Sequence, residues 1–193
     1  MTRILILCGS QRRHSLNARL LDVLQGALPP GATPDRLRPE EVPLPLFNAE
    51  DEGDPAVQAI LRPIHARFHA ADALILASPE YNGMMTPFLK NLIDWVSRLP
   101  RLDPTAPNAF LDRPVLLASA SPGWSGGAIG IPPLRALLGH VGALPFGETI
   151  TLPYADQAWR ADGSLNPDFA GQYWQTCLAR FCALAARVSG ERA

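Results

Sequence analysis

The chain has 193 residues, 47% of them hydrophobic and 18% charged, with a formal net charge of -1. That length suits one domain spanning residues 1–193 around a core of about five strands, and the near-neutral charge excludes the broad basic surface that nucleic acid demands. No apolar run approaches the roughly 20 residues of a membrane-spanning helix, and Cys8, Cys177 and Cys182 lack metal-ligand spacing, which fits buried reduced thiols in a cytoplasmic protein.

The chain opens on Arg3-Ile-Leu-Ile-Leu-Cys8, an apolar run that reads as a strand buried on both faces and ends at Gly9-Ser10. Leu16, Leu20, Leu21, Val23, Leu24 and Leu28 then recur at helical spacing until Pro29-Pro30-Gly31 stops the helix. A weak edge strand is expected near Asp35 to Arg38, followed by a proline-rich surface loop to Asp54. Pro55 to Ala70 predicts a helix, Ala73 to Ala77 a central strand, and Thr86-Pro87 the start of another helix, with a hydroxyl cap ahead of proline. Pro114 to Ser119 is a further central strand, Leu134 to Val141 a helix, Phe146 to Leu152 the last strand and Phe169 to Val188 a closing helix. Strands and helices that alternate in this way build a parallel sheet with helices on both faces. A ligand then sits beyond the carboxyl ends of the strands.

Three loops of small residues follow strands. In Gly9-Ser-Gln-Arg-Arg-His-Ser-Leu-Asn17 the side chains of Ser10, Ser15 and Asn17 gather at a helix N-terminus, where free N–H groups and a partial positive charge suit a phosphate monoester. Arg12 can add a charge-assisted contact, with Arg13 or His14 as solvated neighbours. The competing reading is that Ser15 only caps the helix and Arg12 stays in solvent. The segment has neither G-x-G-x-x-G nor the G-K-[ST] ending of a P-loop. In the second loop, Pro79-Glu-Tyr-Asn-Gly83, Asn82 and Gly83 tolerate unusual backbone angles and turn N–H groups outward, so that a flat heterocycle can rest there. Glu80 as a general base is disfavoured, and Tyr81 either packs or borders the ligand. His65 and His69, spaced i,i+4, read as solvated residues rather than metal ligands.

Taken in order, Gly9-Ser-x-Arg-x-x-Ser-x-Asn17, Pro79-Glu-Tyr-Asn82 and Leu89-Lys-Asn-x-Ile-Asp-Trp95 resemble the NADPH-dependent FMN reductase family, whose members reduce FMN, quinones, chromate and azo dyes. The resemblance runs from Ile4 to about Arg98, then more loosely through Ser119 to Gly127 and Asp162-Gly-x-Leu165. It implies a flavodoxin-like, doubly wound parallel sheet of five strands in the order 2-1-3-4-5. It also implies that Ser10, Arg12, Ser15, Leu16 and Asn17 surround an FMN phosphate, with Leu16 acting through its main chain. Pro79, Glu80, Tyr81, Asn82 and Gly83 would line the isoalloxazine, and Ala120, Ser121 and Gly123 would close its other side.

No catalytic side chain is implied, because flavin N5 takes hydride from NADPH or NADH and passes it to a small acceptor: a quinone, free flavin, azo compound or oxidised metal ion. The alternatives are a flavin reductase supplying reduced FMN to a monooxygenase, a flavodoxin-like electron carrier, and a non-redox nucleotide sensor. The resemblance further implies a homodimer or homotetramer in which a neighbouring subunit completes the flavin pocket. Lys90, Asn91, Asp94 and Trp95 read as structural. The chain departs from many relatives in reading Ala-Ile-Gly-Ile-Pro-Pro, without arginine, after Gly126-Gly127, and in Met84-Met85-Thr86-Pro87, where relatives place proline one residue earlier.

Overall fold

The computed structural model describes residues 1–192. Five strands, β1 (Thr2–Cys8), β2 (Ala32–Leu37), β3 (Ala73–Ala77), β4 (Pro114–Ala120) and β5 (Leu144–Leu152), form one parallel sheet in the order β2-β1-β3-β4-β5. The helices are α1 (Leu16–Gly26), α2 (Pro55–Ala70), α3 (Pro87–Leu102), α4 (Ile131–His140), α5 (Pro167–Ala170) and α6 (Tyr173–Arg192).

Alternation along the central strands divides the core into two layers. Leu5, Leu7, Leu74, Leu76, Val115 and Leu117 meet Leu61, Phe68, Leu92, Trp95 and Leu134 of α2, α3 and α4. Ile4, Ile6, Ile75, Leu116 and Ala118 meet Leu20, Leu24, Leu178 and Phe181 of α1 and α6. Covering both faces is what lets β1, β3 and β4 be nearly continuous apolar runs.

Several boundaries differ from the sequence expectation. Parallel pairing from Thr2↔Ala32 to Leu7↔Leu37 starts β2 three residues before Asp35; Pro34 is tolerated because β2 is an edge strand. Helix α4 begins at Ile131 rather than Leu134, since Pro132 and Pro133 occupy its first turn, where no intrahelical N–H bond is lost. The closing helix starts at Tyr173, after Gly171 at φ 58° has separated it from the short α5. His65, expected in solvent, is 4% exposed, with Nε2 3.0 Å from the Pro107 carbonyl oxygen.

On the edge strand, Asp35 receives Arg3 at 2.7 Å and Arg67 at 2.5 Å, and Arg67 also reaches Glu41 at 2.8 Å. Partial burial pushes the Asp35 carboxyl up, but the two guanidinium groups more than offset it and hold the group below the usual carboxylate range. This network ties β2 to β1 and α2. Along α3, Lys90 pairs with Asp94 one turn away at 2.6 Å. Asn91 Nδ2 and Trp95 Nε1 each donate to the Pro45 carbonyl at 2.8 Å, pinning the proline-rich loop.

Candidate functional site

The carboxyl ends of β1, β3 and β4 open into one cleft of about 120 Å³, lined by residues of all three small-residue loops. Ser10, Arg12, Ser15, Leu16, Asn17, Pro79, Glu80, Tyr81, Ala120 and Ser121 border it, together with Pro122, which the sequence reading did not single out. Asn82, Gly83 and Gly123 lie outside that lining. A wider depression of about 690 Å³ lies between α3 and α4, but its Lys90 and Arg98 are neutralised by Asp94 and Glu52, and it receives no strand end.

Within the first loop, Ser10 and Ser15 are each 4% exposed. Ser10 Oγ accepts from the Arg12 N–H at 3.3 Å, and Ser15 Oγ caps α1 by accepting from the Ala18 N–H at 3.2 Å. The cap therefore forms, and Leu16 and Asn17, whose N–H groups have no partner within the helix, line the cleft. The Arg12 side chain is exposed and makes no ion pair among the described residues. Asn17 is 3% exposed and its amide makes a two-way pair with one residue: Nδ2 donates to the Ala120 carbonyl at 2.8 Å, while Oδ1 accepts from the Ala120 N–H at 3.0 Å.

The second loop is a tight hairpin. Tyr81 and Met84 exchange backbone hydrogen bonds of 2.9 and 3.1 Å around Asn82 at φ 52° and Gly83 at φ 76°, the signature of a type I′ turn. Asn82 and Gly83 are thus the turn tip, which accounts for their distance from the cleft. Thr86 caps α3 by accepting from the Leu89 N–H at 3.2 Å, and its hydroxyl donates to the Gly9 carbonyl at 2.6 Å. A Cβ on Gly9 would lie 3.3 Å from both Thr86 Oγ1 and the Ala77 carbonyl oxygen, so this junction is close-packed.

In the third loop the Ser119 hydroxyl donates to the Ser78 carbonyl at 2.8 Å. Gly127, at φ 84°, lies over it: a Cβ there would fall 1.9 Å from Ser119 Oγ. Three buried side chains therefore link the loops in a closed triangle: Asn17 joins the first to the third, Thr86 the second to the first, and Ser119 the third to the second. The sequence marked Thr86 only as a helix cap and left Ser119 without a partner. Neither bond leaves a local signal, because the partners lie 77 and 41 residues away.

The arrangement fits an FMN-like ligand on two grounds. Phosphate oxygens find N–H donors and an unpaired guanidinium at one end. Gly9 lets the first loop pack closely on the second, because a Cβ there would meet the Ala77 carbonyl oxygen and Thr86 Oγ1 at 3.3 Å. At the other end, Glu80 Oε2 is buried without a hydrogen-bond partner among the described residues, and a heterocycle bearing an N–H can supply the missing donor. Glu80 packs under the third loop, where its Cγ would lie 3.2 Å from a Cβ on Gly130.

Comparison with known proteins gives the same direction. Residues 2–157 match the model of the NADPH-dependent FMN reductase family. The NAD(P)H-dependent FMN reductase of Pseudomonas aeruginosa is 31% identical over 189 residues, covering 97% of both chains. A potato NAD(P)H:quinone oxidoreductase is 33% identical over 122 residues, which are 63% of this chain and 59% of that protein. Among solved structures, FerB, a flavoenzyme NAD(P)H:(acceptor) oxidoreductase from Paracoccus denitrificans, superposes with a TM-score of 0.79 at 25% identity over 97% of this chain and 98% of that one.

Proposed function

The chain belongs to the NADPH-dependent FMN reductase family, and we propose how its residues serve that family's reaction. The protein is an FMN-dependent NAD(P)H oxidoreductase. The chemistry supplied by bound FMN is hydride transfer from NAD(P)H to a small acceptor.

The protein's own part is to hold, orient and shield. In our reading Ser10, Arg12, Ser15 and the main chain at Leu16 and Asn17 hold the phosphate, by hydroxyl, guanidinium and N–H donors. Pro79, Glu80 and Tyr81 border the ring, with Asn82 and Gly83 as the turn that presents them. Ala120, Ser121 and Gly123 close the opposite side. The acceptor class we favour is a quinone or another flat conjugated compound, which suits the apolar, exposed Tyr81, Met84 and Ile129 beside the second loop. That exposed rim, and a cleft too small to enclose an isoalloxazine, also favour a homodimer or homotetramer. We read the chain as one FMN-binding domain working in the cytoplasm, in keeping with three buried free cysteines.

The observation that carries this reading is the convergence of the three loops on one cleft and their pairwise linkage. The test is the visible spectrum of the protein with added FMN, recorded before and after NADPH or NADH without oxygen. A bound flavin spectrum that bleaches is expected. No bound flavin, or no bleaching with either nucleotide, would sink the reading, and a monomer on sizing chromatography would overturn the oligomer.

A further inference from the structure

Asn82-Gly83, the tip of the second loop, is the only place in this chain where asparagine precedes glycine. The other five asparagines, Asn17, Asn48, Asn91, Asn108 and Asn166, are followed by alanine, leucine or proline. In each of those five the side-chain Oδ1 accepts from a backbone N–H, on Ala120, Glu50, Phe47, Phe110 and Asp168 respectively, at 2.6–3.2 Å. Asn82 is exposed, and its side-chain amide has no hydrogen-bond partner among the described residues. The Gly83 N–H is equally unused, because the turn closes between Tyr81 and Met84.

These two free groups are what the loss of an asparagine amide needs, and asparagine is among the thermolabile residues. Glycine carries no Cβ to block the approach of its nitrogen to the preceding side chain. A bonded Oδ1 fixes the side-chain rotamer, whereas the Asn82 carboxamide is free to turn toward Gly83. In the reaction the Gly83 nitrogen bonds to Asn82 Cγ, the Cγ–Nδ2 bond breaks, and ammonia leaves with the Gly83 amide proton. Water then opens the succinimide at either carbonyl. The product is aspartate or, where the chain now runs through the side-chain carboxyl, isoaspartate. No electrons are exchanged and no other reagent is consumed. The hairpin restrains ring closure, so the conversion is slow beside turnover.

We propose that Asn82-Gly83 is a spontaneous deamidation site, and that its conversion ages the protein by loosening the second loop's hold on the flavin. The consequence for flavin rests on the FMN-reductase reading; the site itself does not. Isoaspartate adds a backbone atom to a tight turn, so Tyr81 and Met84 cannot keep both of their mutual hydrogen bonds. The Met84 carbonyl oxygen lies 3.1 Å from where a Cβ on Gly130 would stand, so a shift there is felt beside the third loop. Either product also brings a new carboxylate close in sequence to Glu80, whose Oε2 is already buried without a donor among the described residues.

The test ages purified, FMN-loaded protein in mildly alkaline buffer and maps its peptides by mass. The peptide holding Asn82 should gain the mass difference between an amide and an acid while those of the other five asparagines keep theirs, and an isoaspartyl methyltransferase should label it. Stripped of FMN and titrated again by fluorescence quenching, the converted fraction should bind FMN about tenfold weaker, the equivalent of one or two lost hydrogen bonds. Gly83→Ala meets the left-handed backbone at φ 76° but has room for its Cβ, 3.6 Å from the Ile129 side chain. It should convert more slowly than wild type and keep, over the same interval, whatever affinity it starts with. Asn82→Gln, whose longer side chain closes a ring far less readily, gives the same readout where the alanine variant fails to fold. An Asn82 peptide that stays an amide while the same chain aged in urea converts, or another asparagine converting first, would overturn the site. Unchanged FMN affinity in the converted fraction, or an equal loss in aged Asn82→Gln, would overturn the consequence. Fresh protein that takes up no FMN instead removes the parent reading, and the mass map still decides the site.

Discussion

The side-chain amide of Asn17, at the start of α1, forms a two-way hydrogen-bond pair with the backbone of Ala120 at the end of β4, 103 residues later. Both of its polar atoms are thus bonded to the third loop. Its side chain positions the third loop.

Truncating that amide separates the two roles. Asn17→Ala should weaken FMN and riboflavin by the same factor, about tenfold or more, because it loses two buried hydrogen bonds of about 1 kcal/mol each. Arg12→Ala should weaken FMN alone, by roughly 1.5 to 3 kcal/mol if the contact is charge-assisted. Flavin fluorescence quenching reads both ligands. Riboflavin binding untouched in Asn17→Ala would assign the amide to the phosphate after all.

Gly127→Ala meets two penalties, a left-handed backbone at φ 84° and a Cβ placed 1.9 Å from Ser119 Oγ. Strain of roughly 1–2 kcal/mol for the backbone and 1–3 kcal/mol for overpacking gives a loss of about 2–5 kcal/mol. Denaturant unfolding measures it, and Ser119→Gly in the same chain should return part of the loss. A loss below about 1 kcal/mol would contradict the packing at this junction.

Thr86→Val keeps the shape and removes the hydroxyl. It loses the cap on α3 and leaves the Gly9 carbonyl without its donor, a combined cost of about 2–3 kcal/mol. FMN affinity should fall with it, since Gly9 is fixed by that bond. Thr86→Ser should restore most of both, and if Thr86→Val binds FMN like wild type, the bond does not shape the first loop.

His65 sets a pH dependence. Burial lowers its pKa from 6.5, outweighing the bond to the Pro107 carbonyl. The unfolded chain therefore takes up a proton more readily than the folded one. The stabilisation is complete above about pH 6.5 and is lost as pH falls toward the lowered folded value. Thermal midpoints should drop between pH 7 and pH 5, and His65→Gln should flatten part of that slope. An unchanged slope would move the effect to another group, with His69 next, since burial and Arg113 lower it too.

Much of the fold was legible because the information is local. The unbroken apolar runs at Ile4–Leu7, Leu74–Leu76 and Val115–Leu117 announce strands covered on both faces, and Thr86-Pro87 announces a helix start. Boundaries slipped where a distant partner decides them: β2 takes its start from the register with β1, and Pro132-Pro133 belongs to the first turn of α4. His65 went from solvent to core because its neighbour, Pro107, is 42 residues away.

By itself the sequence determined the three small-residue loops, their order along the chain, and the hydroxyl, guanidinium and turn residues they carry, since these follow from residue type and short spacing. The tertiary structure decided which side chains face the cleft and which brace it. Asn17, Thr86 and Ser119 spend their polar atoms on carbonyl and N–H groups of other loops, and Asn82-Gly83 becomes a turn tip. Those assignments depend on buried hydrogen bonds across 41 to 103 residues, and a bond between distant segments exists only once the sheet has brought its strand ends together.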